Sequence, residues 1–223
     1  MLNNILIQEN KVKQLCYLSD EALALLKNEK LANYKKNNIN RALKTSAILN
    51  DFFKIDNFQN KHCIEVGPGR YEFSQMARYL GANVMCIERS SEIASLGRYL
   101  GFNVIESEFF SYFKNSNLLV DGLFVKNIQD PCANSLDDAD KMAKILTDKI
   151  KTNGWGLCVL RNRFDDEELM DLNSYGNRYL TKQKESFLKQ GWQAIKLDPL
   201  LKNKYGLKVK AAKWIFLKNL ESV

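Results

Sequence analysis

Only one histidine, His62, occurs in the chain, so no site that needs two imidazoles can be built. The five cysteines (Cys16, Cys63, Cys86, Cys132, Cys158) are scattered, and none forms a Cys-x-x-Cys pair. That spacing argues against a zinc knuckle and against a disulfide framework, and no metal is expected. No apolar run approaches the ~20 residues needed to cross a bilayer. The first residues, Met1 to Glu9, lack the basic stretch and long apolar segment of a signal peptide. The expected setting is reducing and cytoplasmic. What the chain does contain is an ordinary globular balance, 45% hydrophobic and 26% charged. At 223 residues it is long enough for one core with an appendage.

The net charge is +7, and the excess sits towards the C-terminus, above all at Lys202, Lys204, Lys208, Lys210 and Lys213. A basic stripe of this kind can touch nucleic acid. Yet the chain holds 25 Lys against 8 Arg, and Arg is the residue that forks onto bases and phosphates. Nucleic acid is therefore the less favoured partner.

Residues 1–58 read as a helical appendage. Ser19 can cap a helix starting at Asp20-Glu21, with Ala22, Leu23, Leu26 and Leu31 as its apolar stripe. The polar stretch Lys35-Lys36-Asn37-Asn38 predicts a break before a second stripe through Ile39, Leu43, Ile48 and Phe52. Residues 59–223 change to short apolar runs alternating with helical patterns. Strands are expected at 62–66, 83–88, 103–105, 118–124 and 155–160, with closing strands at 192–197 and 211–218. The segment Arg78-Tyr79-Leu80-Gly81-Ala82-Asn83-Val84 echoes in Arg98-Tyr99-Leu100-Gly101-Phe102-Asn103-Val104, which marks successive αβ units. Apolar strands separated by helices predict an α/β, doubly wound, mostly parallel sheet.

The informative segment is Glu65-Val66-Gly67-Pro68-Gly69-Arg70-Tyr71, a glycine turn between strand and helix. Without side chains at Gly67 and Gly69 a ligand can approach the backbone, and the following helix start offers free N–H groups. The dinucleotide pattern Gly-x-Gly-x-x-Gly fails, because Glu72 stands where the third glycine belongs. A carboxylate there would repel a pyrophosphate, so a ligand without phosphates fits better. Glu88, at the end of the next strand, can accept both hydroxyls of a ribose.

These residues, together with Ser107-Glu108-Phe109 and the strand Val120-Asp121-Gly122-Leu123-Phe124-Val125-Lys126-Asn127, resemble the class I S-adenosylmethionine-dependent methyltransferases. Thr152-Asn153-Gly154-Trp155-Gly156-Leu157 is similar to the glycine turn that precedes the family's fifth strand. The resemblance covers about residues 60–218. It implies a seven-stranded Rossmann-like sheet with an antiparallel last strand, binding of S-adenosylmethionine, and release of S-adenosylhomocysteine. Glu65, Gly67 and Gly69 would line the methionyl end. Glu88, with Arg89 beside it, would hold the ribose, and Glu108 and Phe109 would flank adenine. Tyr71, where the family often has a third glycine, together with Lys126 and Asn127, would complete the cofactor set.

The acceptor is legible only through the strand ends. His62 begins the first strand, whereas ligands of open parallel sheets gather at carboxyl ends, so it is not the base. Asp130 beyond the fourth strand and Arg161 and Arg163 beyond the fifth are the catalytic candidates. Two guanidinium groups can grip an anion, and an anionic oxygen needs no base, whereas Asp130 could deprotonate a neutral hydroxyl. The segment Asn127-Ile128-Gln129-Asp130-Pro131 departs from the family's signature for nucleobase amino groups. A small-molecule acceptor, anionic on a sugar pathway, is the expectation. RNA- or ribosome-directed methylation and a non-catalytic nucleoside-binding protein stand as the alternatives.

Overall fold

The computed structural model describes residues 6–129, 135–162, 164, 171, 173–207 and 212–220. Its strands form a seven-stranded sheet in the order β3-β2-β1-β4-β5-β7-β6, numbered along the chain and bounded below. The chain divides into two compact units, centred on residues 6–109 and 110–220.

The first unit opens with α1 (Glu9–Leu15), α2 (Asp20–Leu23) and α3 (Asn28–Phe52). Ser19 caps α2 as expected, its hydroxyl accepting from the Ala22 N–H at 3.2 Å. The predicted break at 35–38 is absent, and α3 runs through it. Lysine is a good helix former. The Asn33 and Asn37 side chains bond one turn apart at 3.3 Å, and Asn38 turns its amide onto the Cys16 carbonyl. Asn37 is thus bonded within the helix itself, and Asn38 by the residue that ends α1. The interruption lies earlier, where α2 ends after Leu23 and Lys27 is extended.

Next come β1 (His62–Val66), α4 (Glu72–Tyr79), β2 (Asn83–Glu88), α5 (Ser91–Tyr99) and β3 (Asn103–Glu106). β1 pairs in parallel with β2 (Val66 opposite Ile87), and β2 with β3 (Glu88 opposite Glu106). Cys63 to Val66 are all buried, as expected for a strand covered on both faces. The N-terminal helices are part of this unit: Cys16 Sγ donates to the Glu72 carbonyl at 3.8 Å, and Arg41 pairs with the Glu72 carboxylate at 3.4 Å.

The second unit contains α6 (Phe109–Asn115), β4 (Val120–Gln129), α7 (Leu136–Asp148), β5 (Ile150–Arg161), α8 (Tyr175–Lys189), β6 (Gln193–Lys196), α9 (Pro199–Lys204) and β7 (Trp214–Lys218). β4 and β5 are parallel, and β7 lies antiparallel between β5 and β6, which is the reversed last strand expected. The long connection after β6 is filled by α9, capped by Asp198 on the Leu201 N–H at 2.8 Å. The glycine turn expected before the fifth strand lies inside β5. The register jumps from Val120–Ile150 to Gly122–Trp155, leaving 151–153 exposed as a bulge. Gly156 is required by close packing, because a Cβ there would stand 2.4 Å from the Trp192 ring. Among the described residues, no helix is long and apolar enough to cross a membrane.

Burial, reinforced by the carboxylates of Glu72 and Glu65, pushes the Cys16 thiol up to about 12. The folded value lies above the unfolded one of 9.0, so the stability this thiol contributes is whole below that value. It is lost as pH rises from there towards about 12. We therefore expect the melting temperature to fall over that range more steeply for the wild type than for Cys16→Ala. Parallel curves would show that the thiol is not the titrating group.

Candidate functional site

Three residues of the β1–α4 turn alternate in the left-handed region: Gly67 (φ 61°), Gly69 (φ 58°) and Tyr71 (φ 62°). At the two glycines this conformation is free of the Cβ penalty. The turn is fastened by the Gly67 N–H to the Ile87 carbonyl (2.8 Å) and the Tyr71 N–H to the Pro68 carbonyl (3.0 Å). Glu65 is buried, and its Oε2 accepts from both the N–H (3.0 Å) and the hydroxyl (2.5 Å) of Ser74. Strand and helix are thus bolted together by one carboxylate directly before the turn.

Glu88 ends β2, the neighbour of β1, and is 9% exposed. Its Oε1 accepts from the Ser90 N–H at 2.8 Å, which orients the carboxylate and leaves Oε2 as an acceptor. Parallel pairing therefore brings Glu65, Gly67, Gly69 and Glu88 to one carboxyl edge. Arg89 and Glu108 are exposed there, and Phe109 is buried.

Tyr71, expected to complete the cofactor set, has its side chain engaged within the protein. Its hydroxyl donates to the Ile93 carbonyl (2.8 Å), and its ring stacks on Phe102 at 5.5 Å between centroids. With its N–H on Pro68 and its carbonyl accepting from the Gln75 N–H, its polar groups are engaged within the protein. Tyr71 shapes the turn by anchoring it to α5. Glu72, read from sequence as a bar to pyrophosphate, is buried and paired with Arg41.

Sequence reasoning missed the contribution of α3 and of Arg70. Tyr34 donates to the Gly69 carbonyl at 2.8 Å, and Arg70, only 1% exposed, lies under the Tyr34 ring at 4.4 Å. Arg70 Nη2 donates to the carbonyl (3.2 Å) and the side-chain oxygen (3.1 Å) of Asn33. Lys30 reaches the Ser90 hydroxyl (3.0 Å) and Glu92 (2.7 Å), and its ammonium holds the Glu92 carboxyl below the usual range. Residues 30–41 of α3 thus touch both the β1–α4 and β2–α5 turns. No motif signals this, because the contacts join residues about 35 to 60 positions apart in the sequence.

In the second unit, Lys126 and Asn127 lie near the carboxyl end of β4, where the register with β5 shifts between Lys126 and Ile128. Asn127 is left-handed (φ 60°), and Arg161 stands opposite Gln129 at the end of β5. Asn127 Oδ1 and Arg161 Nε are buried with no hydrogen-bond partner among the described residues. Asp130, Arg163 and Cys132 lie outside the described residues. His62 is exposed at the first residue of β1.

No protein-family model and no curated protein matches the sequence. Among solved structures, the chain is similar to a SAM-dependent methyltransferase from Archaeoglobus fulgidus, with TM-score 0.54 and 14% identity over 86% of this chain and 98% of that one. It is also similar to the mitomycin 7-O-methyltransferase MmcR (0.52, 13%, covering 93% and 60%). A third likeness is to SMU.776 complexed with SAH (0.50, 12%, covering 78% and 49%). At these identities the shared property is the fold.

Proposed function

We propose that this chain, which has the fold of S-adenosylmethionine-dependent methyltransferases, binds that cofactor at the first unit's turn and transfers its methyl group. The observation that carries the reading is the left-handed Gly67–Gly69 turn beside the buried, oriented carboxylate of Glu88 on the next strand. The residues fit the group: a Cβ on Gly69 would meet only the Tyr34 hydroxyl, at 4.0 Å. When bound, the cofactor would supply a sulfonium methyl group for in-line transfer to the acceptor, with the neutral thioether as leaving group. Gly67 and Gly69 let the ligand approach the backbone, Glu65 sets the turn at the methionyl end, and Glu88 accepts the ribose hydroxyls. Arg89 stands beside Glu88 at the ribose, and Glu108 and Phe109 flank the adenine side.

The acceptor is an anionic small molecule in this reading. Its support is the buried Nε of Arg161, a charged donor with no hydrogen-bond partner among the described residues. Arg161 and Arg163 would orient an anionic oxygen, and positioning alone then supplies much of the acceleration. Asp130 would act as base only for a neutral hydroxyl.

Incubating metabolite extracts and RNA with methyl-labelled cofactor tests this directly. Label in a small anionic product is expected; label in RNA, or binding without turnover on any pool, overturns the acceptor reading. Once the acceptor is known, Arg161→Ala should raise its KM about tenfold or more while leaving cofactor affinity unchanged. Intact turnover in Arg161→Ala, with loss in Asp130→Asn, would instead favour a neutral hydroxyl.

A further inference from the structure

Because β7 lies antiparallel between β5 and β6, the edge where β5 ends at Arg161 is also where β6 ends at Lys196 and β7 begins at Trp214. Lys196 stands opposite Trp214 in the register, and cross-strand partners share a face. Two ammoniums lie over the Trp214 ring, Lys184 of α8 at 5.0 Å and Lys213 at 5.9 Å from its centroid. Lys213 is fixed by a neutral group: the buried Asn177 accepts from its ammonium at 3.2 Å and donates to the Asp171 carbonyl at 2.7 Å. Burial first, and the Lys196 ammonium second, hold the Lys213 ammonium below the usual lysine range, and no carboxylate among the described residues opposes them. The ion pairs of this unit use other lysines, Lys141, Lys144, Lys151 and Lys182. Of the described acids closest in sequence, Asp171 accepts from the Asn173 N–H, Asp198 caps α9, and Glu185 acts on Lys182. The unmet polar atoms at the ends of β5 and β7 are donors too: Arg161 Nε and Trp214 Nε1 are buried with no partner among the described residues. Positive charge and donors without acceptors call for an anion.

We infer that Lys184, Lys196 and Lys213 around Trp214 form a subsite for a phosphate monoester, the handle that holds the acceptor on the edge that also carries Arg161. This rests on the anionic-acceptor reading above and names the acceptor's class, a phosphorylated small molecule. Three ammoniums without a carboxylate match a dianion, and a phosphate monoester carries nearly two charges at neutral pH. Lysine binds such a group as a point charge, whereas a carboxylate is better met by a guanidinium fork. An RNA backbone has one charge per phosphate and is tracked by cations spread along a groove. Here the cations converge on one ring instead.

The test follows the Trp214 indole N–H signal by NMR, assigned with Trp214→Phe, during titration with ethyl phosphate and with diethyl phosphate. Ionic strength is matched, at a pH where the first is a dianion and the second a monoanion. The dianion should shift the signal saturably and bind about tenfold more tightly than the monoanion. Lys196→Gln and Lys213→Gln should each weaken ethyl phosphate about tenfold while leaving S-adenosylhomocysteine affinity unchanged. If a variant does not fold, the wild-type comparison of the two esters still decides. Equal or unsaturable binding of the esters overturns the inference. A ribo-oligonucleotide whose binding falls steeply with salt and is lost in both variants would show a polyanion surface, and overturns it too. Methyl-labelled product from metabolite extracts separates this inference from the reading beneath it. An anionic product made by a protein that ignores ethyl phosphate overturns the subsite and leaves the acceptor reading intact. Saturable phosphate binding with label only in a product that lacks phosphate overturns the handle role.

Discussion

Glu88→Ala should weaken S-adenosylmethionine binding by about tenfold to a hundredfold, equivalent to roughly 1.5–3 kcal/mol for hydrogen bonds to a charged acceptor. The carboxylate is 9% exposed, so its bonds to a ligand would form in a site with little competing water. The Ser90 N–H at 2.8 Å already holds it in one orientation, which lowers the entropy lost on binding. Glu88→Gln keeps the shape and one acceptor oxygen, so its loss should be intermediate. Because Ser90 is only half-buried, the freed N–H can turn to water and the melting temperature should change little. Isothermal titration on the folded variants reads the effect. Unchanged affinity in Glu88→Ala would remove this residue from the site.

Gly97→Ala should be the most destabilising single methyl that can be added to the first unit. Its Cβ would stand 2.1 Å from the Tyr71 hydroxyl oxygen and 2.2 Å from the ring carbon that bears it. Tyr71 has nowhere to retreat: it is fully buried, bonded to the Ile93 carbonyl and stacked on Phe102. Overpacking of this kind costs about 1–3 kcal/mol, and the upper end applies where the displaced group is rigid. For a domain of this size that lowers Tm by roughly 5–10 °C. Tyr71 is also the N-cap of α4 at φ 62°, so displacing its ring should disturb the glycine turn and weaken ligand binding together with stability. Added to Gly97→Ala, Tyr71→Leu should cost less than it does in the wild-type background, the coupling a double-mutant cycle detects. A melting curve identical to wild type would show that α5 and Tyr71 are not packed as described.

Local pattern determined much of this protein. Short apolar strands ending in glycine or acid, with glycine stops after α4 and α5, set the parallel αβ grammar, because a strand buried on both faces must be apolar along its length. The turn through Gly67 and Gly69 and the acid at Glu88 were readable for the same reason: left-handed backbone and strand-end placement are properties of a few consecutive residues. Other features needed the folded chain. Asn37 and Asn38 look like a helix break until Asn33 and Cys16 supply their partners. The packing of Tyr71 against Ile93, Phe102 and Gly97 likewise has no local signal. Nothing in Gly-Arg-Tyr marks Arg70 for burial, yet α3 covers it. The physical reason is range. Backbone conformation and periodicity are encoded within a few residues, whereas the burial of a charge depends on which distant segment comes to lie over it.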